Sequence, residues 1–373
     1  MQFDRYLLAQ LMRTTLSVAV TLIGIVWLFQ TIRILEIVVN RGAPITDFFV
    51  MSVTVVPLWL TIALPISAFV AVTWVFQRAL ADRELLVMQA SGRSSFQLAR
   101  APLALGAIVT LFLILNSVVF LPLSFGIYKD VQFRLRTTIP SVMLQDNVFI
   151  DVVNGMTMLI GKKLDSGLAQ DVFIHDERNE GKIITMTAKV GKFVEKDSKP
   201  VVILRDGQRV ELDPNGDSGA TLSFESHTVS IVPKGKQQSA RMPIDMNEDS
   251  ISNLLDPSKS PSANYFNQRR AEGHYRIVSP FLSLLLILIA TCSVLLGQIR
   301  RDTWSRRTLI NVGGAVLAIS LLVSSRSLAT TTPSAVPLIY LSMTLPSFIF
   351  TCLLAFPQLG RLLSTSLRVR RVA

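Results

Sequence analysis

Long stretches of this chain hold no ionisable side chain. No Asp, Glu, Lys, Arg or His occurs from Phe48 to Gln77, nor from Ala101 to Tyr128. Charged residues are 17% of the total, against about 25% in soluble globular proteins. Cysteine is scarce as well. Cys292 and Cys352 each sit inside an apolar run, which argues against a disulfide framework or a thiolate metal site. The three histidines, His175, His227 and His274, stand in no metal-ligand spacing, so no metal site is expected. No Gly-x-x-x-x-Gly-Lys-Ser/Thr stretch occurs, so the chain has no phosphate loop of its own, and no Gly-x-Ser-x-Gly occurs either. The carboxylates nearest the apolar runs are Glu36, Asp47, Asp82, Glu84 and Asp302, all at run ends or between runs. An ion-coupled carrier keeps an ionisable group deep in a span. These absences leave a membrane protein whose energy comes from outside the chain.

What is present divides the chain in three. A helix crosses a bilayer with about 20 apolar residues. Six runs meet that length: roughly 13–35, 48–76, 101–124, 277–299, 308–325 and 337–357. The first is too long for a signal-peptide core, so it reads as a retained span. Pro57 and Pro65 in the second predict a bent helix compensated by its neighbours. Thr330-Thr331-Thr332-Pro333 reads as a loop before the sixth. The formal net charge is +11, yet every lysine lies between residues 125 and 275, where charge is nearly balanced. The surplus is arginine beside spans, which is an orientation signal and not a nucleic-acid face. Arg78, Arg83, Arg93 and Arg100, then Arg300, Arg301, Arg306 and Arg307, then Arg361, Arg368, Arg370 and Arg371 crowd one side. That side is read as cytoplasmic, with both termini there and the middle domain outside.

The middle alternates like β structure. Val148–Val153 and Met156–Ile160 flank an Asn-Gly pair, a hairpin signal. Val201–Leu204 and Arg209–Leu212 around Arg205-Asp206-Gly207-Gln208 read as a second hairpin, and Thr221–Val232 as a further strand. The expectation is a sandwich or jelly roll, with residues 241–262 as a linker back to the membrane. The predicted fold is therefore an α-helical polytopic membrane protein with six transmembrane helices, three and three, around an inserted all-β, jelly-roll-like domain. Its parts are residues 1–124, 125–270 and 271–373.

Between the second and third spans lies a charged amphipathic stretch, Arg78 to Arg93. Asp82 fits a side-chain helix cap, and Glu84 fits the first turn, where negative charge is favoured. Leu85, Val87 and Met88 offer an apolar surface, and Ser91-Gly92 fits a helix end. Such a helix, about 80–92, suits a partner's groove. It equally suits a solvated loop with Glu84 paired to a local arginine.

With these features in place, the layout resembles the permeases of the lipopolysaccharide export machine, the LptF/LptG family. The likeness is strongest at Asp4-Arg5-Tyr6 with Arg33-Ile34-Leu35, and at Glu84-Leu85-Leu86-Val87-Met88-Gln89-Ala90-Ser91-Gly92, which is similar to the family's coupling segment. Leu64-Pro65 and Arg33-Ile34-Leu35 look nearer LptF than LptG. The resemblance implies a non-catalytic, multi-pass subunit of the bacterial inner membrane with a periplasmic middle domain. It would pass lipopolysaccharide toward the outer membrane.

The implied partners are a second six-span permease (LptG-like), a cytoplasmic ATPase dimer (LptB-like), a single-span periplasmic protein (LptC-like) and a β-bridge protein (LptA-like). ATP and Mg would be held by the ATPase, leaving no cofactor in this chain. Asp82, Glu84, Leu85, Met88 and Gly92 would couple to the ATPase. Arg33 and Arg326 would contact the lipid head group, since guanidinium matches phosphate geometry. The alternative for each is an arginine snorkelling to the interface. Gln30 stands where the family has a second basic residue. Leu22, Val26, Phe29, Leu317, Leu321 and Leu322 are candidates for the acyl cavity. A membrane-anchored scaffold whose β domain binds partners is the rival reading.

Overall fold

The computed structural model describes residues 2–40, 44–137, 146–153, 155–164, 168–179, 182–196, 199–212, 219–231, 245–256, 258, 263–296 and 304–356. Among these, six helices are long and apolar enough to cross a membrane. A six-stranded antiparallel sheet is inserted between the third and the fourth. The basic residues Arg300, Arg301, Arg361, Arg368, Arg370 and Arg371 lie outside the described residues. The chain forms two compact units. One comprises residues 1–30, 54–126 and 245–373, and the other 31–53 and 127–244.

Several of the helices outrun their apolar runs. Helix α1 (Gln2–Asn40) begins before the first apolar run and continues past it. The second span is broken. Helix α2 (Ile45–Thr54) stops and α3 (Val56–Ala81) restarts with proline in its first turn. Proline has no N–H to give the preceding turn, so a break there costs little. Short helices α4 (Glu84–Ala90) and α5 (Ser95–Leu98) then lead to α6 (Arg100–Leu115). One π-helical turn, Asn116–Phe120, joins α6 to α7 (Leu121–Thr137). Asn116 is buried and donates its side-chain amide to the Pro57 carbonyl at 2.9 Å. This bond holds the π-helical turn against the start of α3, beside the break in the second span.

After the sheet, α8 (Ile251–Leu254) and α9 (Ala263–Val278) precede α10 (Leu282–Leu295). The stretch read as a linker is therefore ordered from Asp245 to Asp256. It packs on α9, where the buried Leu254 lies against Gly273. Helix α10 is apolar on every side and almost wholly buried, as expected of a helix ringed by others. It touches α3, α6, α11 (Trp304–Thr331) and α12 (Val336–Ala355). The Thr110 and Ser283 hydroxyls meet at 2.8 Å between α6 and α10. The expected loop at Thr330–Thr332 is helical up to Thr331. Each hydroxyl back-bonds to a carbonyl of the preceding turn, and Pro333 follows.

The inserted sheet is a meander, each strand pairing with the next from β1 to β6. The strands are β1 (Phe149–Val153), β2 (Met156–Lys163), β3 (Leu168–Asn179), β4 (Lys182–Lys196), β5 (Lys199–Leu212) and β6 (Gly219–Ser230). The β1–β2 hairpin is as expected, with Gly155 at φ 79°. The second expected hairpin is instead one strand, β5. Asp206 takes a left-handed conformation, φ 50°, and the strand runs on in unbroken register with β4 and β6. Gly207 is required beside it, because a Cβ there would stand 2.3 Å from the Thr187 carbonyl oxygen. The sheet curls on itself: Arg178 of β3 reaches the Ser230 carbonyl on β6, three strands away, at 3.1 Å. Met158, Ile160, Ile174, Met186, Leu204 and Val229 fill the inside of the curl.

Candidate functional site

The segment expected to couple is a short helix fixed on one face. Its cap differs from the expectation. Asp82 does not cap α4; it pairs with Arg78 at 3.5 Å, one turn back on α3. Arg83 is the N-cap residue, left-handed at φ 62°, with no side-chain cap bond. An Asp at 82 lies one residue too early to reach the free amides of α4. Glu84 opens the first turn and is exposed. At the far end the Gly92 N–H donates to the Gln89 carbonyl at 3.0 Å, and the Arg93 N–H to that of Met88 at 3.3 Å. This is a Schellman termination, and Gly92 supplies its φ of 88°.

The apolar residues divide between two faces. Leu85 is 2% exposed and Met88 packs on the bundle core, whereas Val87 is 65% exposed. The outward face is therefore Glu84, Val87 and Ser91. Helix α5 follows with a full capping box between Ser94 and Gln97, and its Leu98 is buried. Arg93 then ties the whole segment to the start of α1. It meets the Asp4 carboxylate at 3.1 Å and lies over the Phe3 ring. Two stretches far apart in sequence, around Asp4 and Glu84, are thus neighbours.

Arg326, on α11, has defined company on α9. Its guanidinium stands 2.6 Å from Glu272 Oε2 and 4.7 Å from the centre of the Tyr275 ring. The arginine side chain is 43% exposed and the glutamate 7%. Arg276 holds the other oxygen, Oε1, at 3.3 Å. Arg276 also donates to the carbonyls of Asp249 and Met246. Asp249 pairs with the buried Arg269, which donates to the Asn253 carbonyl at 2.9 Å. A chain of charges therefore runs from Arg326 to the ordered strap 245–256. Glu272, Tyr275 and Arg276 were not singled out from the sequence. The available signal was the four-residue spacing of Glu272 and Arg276 on a helix face.

The remaining candidates lie on single helices. Arg33 is exposed on α1. Leu22 and Val26 are half-buried, and Phe29, Leu317 and Leu321 are exposed at 69%, 67% and 42%. Leu322 differs: at 1% exposure it belongs to the bundle core, not to an open surface. An apolar groove of about 600 Å³ lies between α3 and α11, lined by Phe69, Thr73, Trp74, Gln77, Leu309 and Val312. None of the six acyl candidates lines it. Among the described residues no His, Cys, Asp and Glu cluster could hold a metal ion.

The family model described as "Lipopolysaccharide export system permease LptF/LptG" matches residues 5–359. An uncharacterised protein of Rickettsia prowazekii (strain Madrid E) is 28% identical over 308 residues, 82% of this chain and 84% of that one. The lipopolysaccharide export system permease protein LptF of Escherichia coli (strain K12) is 24% identical over 210 residues. That match covers 56% of this chain and 57% of the relative, so the chain spans little more than half of the LptF protein it matches. LptF of Shigella flexneri matches to the same extent. These matches favour LptF over LptG only weakly.

Proposed function

This chain belongs to the LptF/LptG family of lipopolysaccharide export permeases, and it is an integral protein of the inner membrane. From that premise we propose that it is the transmembrane, non-catalytic subunit of an ATP-driven exporter. It draws lipopolysaccharide out of the inner membrane and hands it to a periplasmic β-domain bridge. Both termini and the α4 segment face the cytoplasm, and the curled sheet faces the periplasm, on the arginine bias of the loops. A second six-span permease completes the lipid path. A separate ATPase dimer binds ATP and Mg and docks on α4.

The observation that carries this reading is the build of α4. Leu85 and Met88 anchor it to the bundle, and Arg93 braces it on Asp4, while Glu84 and Val87 are left facing outward. A helix fixed on one face and bare on the other suits a partner's groove. It can pass the partner's movement to the spans because its own attachment is firm. Arg33 and Arg326 are the cations for the lipid's phosphates in this reading.

The test is affinity capture of the tagged full chain from native membranes in mild detergent. The proposal expects a cytosolic ATPase, a second six-span protein and a single-span periplasmic protein in constant ratio. Capture of the chain with periplasmic partners and no ATPase would support the scaffold reading instead.

A further inference from the structure

Helices α3 and α11 both pack on α10, and the apolar groove lies between them. At one end of it the Gln77 side-chain amide donates to the Thr308 hydroxyl at 3.2 Å. Both charge-free runs stop at this level. That of the second span ends at Gln77, with Arg78 next, and that of the fifth begins at Thr308. The groove therefore starts at the membrane–water boundary. From there it runs inward along α3 to Phe69, a helical rise of roughly 12 Å.

The mouth of the groove has its own chemistry. Trp74 lines it and is 59% exposed, and tryptophan settles at head-group level. Arg78 follows one turn later on the same helix face. Its pairing with Asp82, 3.5 Å from Nε, is exposed on both sides. Nothing among the described residues hydrogen-bonds its two Nη groups, and that fork matches phosphate. The occupant must then be apolar in its body and anionic at one end. It must also be narrow. A helix about 10 Å across fills roughly 400 Å³ per turn, so a groove of about 600 Å³ cannot enclose a span.

We infer that the groove between α3 and α11 seats one acyl chain of an anionic phospholipid, drawn from the leaflet on the α4 side, with its phosphate on Arg78. This site is separate from the cations assigned to the exported lipid. Arg326 lies roughly 27 Å from Thr308 along α11, close to the thickness of the hydrocarbon layer, and so belongs to the opposite leaflet. The inference goes beyond the export reading and stands whether or not an ATPase docks on α4. Only the name of the leaflet, cytoplasmic, depends on the proposed orientation.

The test uses the full chain in neutral detergent with phosphatidylglycerol and phosphatidylcholine of the same acyl chains. Lipids held per chain are counted by native mass spectrometry. The unaltered chain holds phosphatidylglycerol in preference, because choline cancels the phosphate charge of the other lipid. Arg78→Gln weakens phosphatidylglycerol about fivefold, the scale of one basic residue at an anionic surface, and phosphatidylcholine less. Val312→Trp fills the groove from an exposed position and removes one phosphatidylglycerol per chain. Leu309→Trp, at a position 75% exposed, does the same and stands in if the first variant does not fold. An unchanged count in the tryptophan variants, or an unchanged preference in Arg78→Gln, overturns the inference. Displacement of that phosphatidylglycerol by lipopolysaccharide, one for one, overturns it too, since the groove would then belong to the export path.

Discussion

Arg83 and Asp82 show how much one position decides at the residue scale. Acid just before an apolar helical run signals a side-chain cap, but the run begins at Glu84 and the left-handed residue before it is an arginine. Asp82 is left to close the previous helix with Arg78. Glu272 was legible only as the helix-face partner of Arg276. Its importance depends on Arg326, and no local pattern reports a partner in another span.

A titratable example lies in the sheet. Burial, and then the Arg209 charge, lower the pKa of His227, which sits beside the Phe224 ring. The unfolded chain therefore binds this proton at a higher pH than the folded one. The histidine's contribution to stability is present above about pH 6.5, the ordinary histidine value. It declines as pH falls toward the lowered folded value. Hydrogen exchange of the β5 and β6 amides in the full chain should quicken on acidification across that range. The quickening should be smaller in His227→Asn, and equal quickening in both would contradict the assignment.

Elements were legible where one physical signal dominated. Charge-free runs located all six spans, and strict alternation located the β1–β2 hairpin. Helix ends were not legible, because α1, α7 and α9 continue into polar sequence that hydropathy does not mark. Strand β5 was misread because Arg205-Asp206-Gly207-Gln208 has turn chemistry. A left-handed Asp206 inside a strand wins only through its two neighbouring strands.

The same scale holds a test of α4. Leu85→Ala removes a buried side chain and should cost about 2–5 kcal/mol locally. Arg93→Gln removes only the brace on Asp4 and should cost no more than about 1 kcal/mol, since that pair is partly exposed. If α4 transmits force, Arg93→Gln lowers lipid export per ATP hydrolysed although the thermal unfolding temperature of the complex barely moves. Full export efficiency in that variant would show that the brace does not matter.

For the whole molecule, the division of labour follows from composition. The helical unit has α10 as its buried hub, with 67% of the fourth span's apolar window inside, against 11% for the first. A span with so little burial presents most of its surface to lipid or to a partner, which fits a subunit that is completed by another chain. The sheet unit has its own core within the curl. The proposed reading has work on a lipid enter from another protein, the ATPase.

The most direct measurement of that claim uses proteoliposomes holding the assembled exporter, with lipopolysaccharide released and ATP hydrolysed counted together. For Glu84→Arg the account predicts intact assembly and continued hydrolysis, with release per ATP falling at least tenfold, about 1.4 kcal/mol of lost coupling. Normal release by that variant, or release by this chain with no ATPase present, would contradict it.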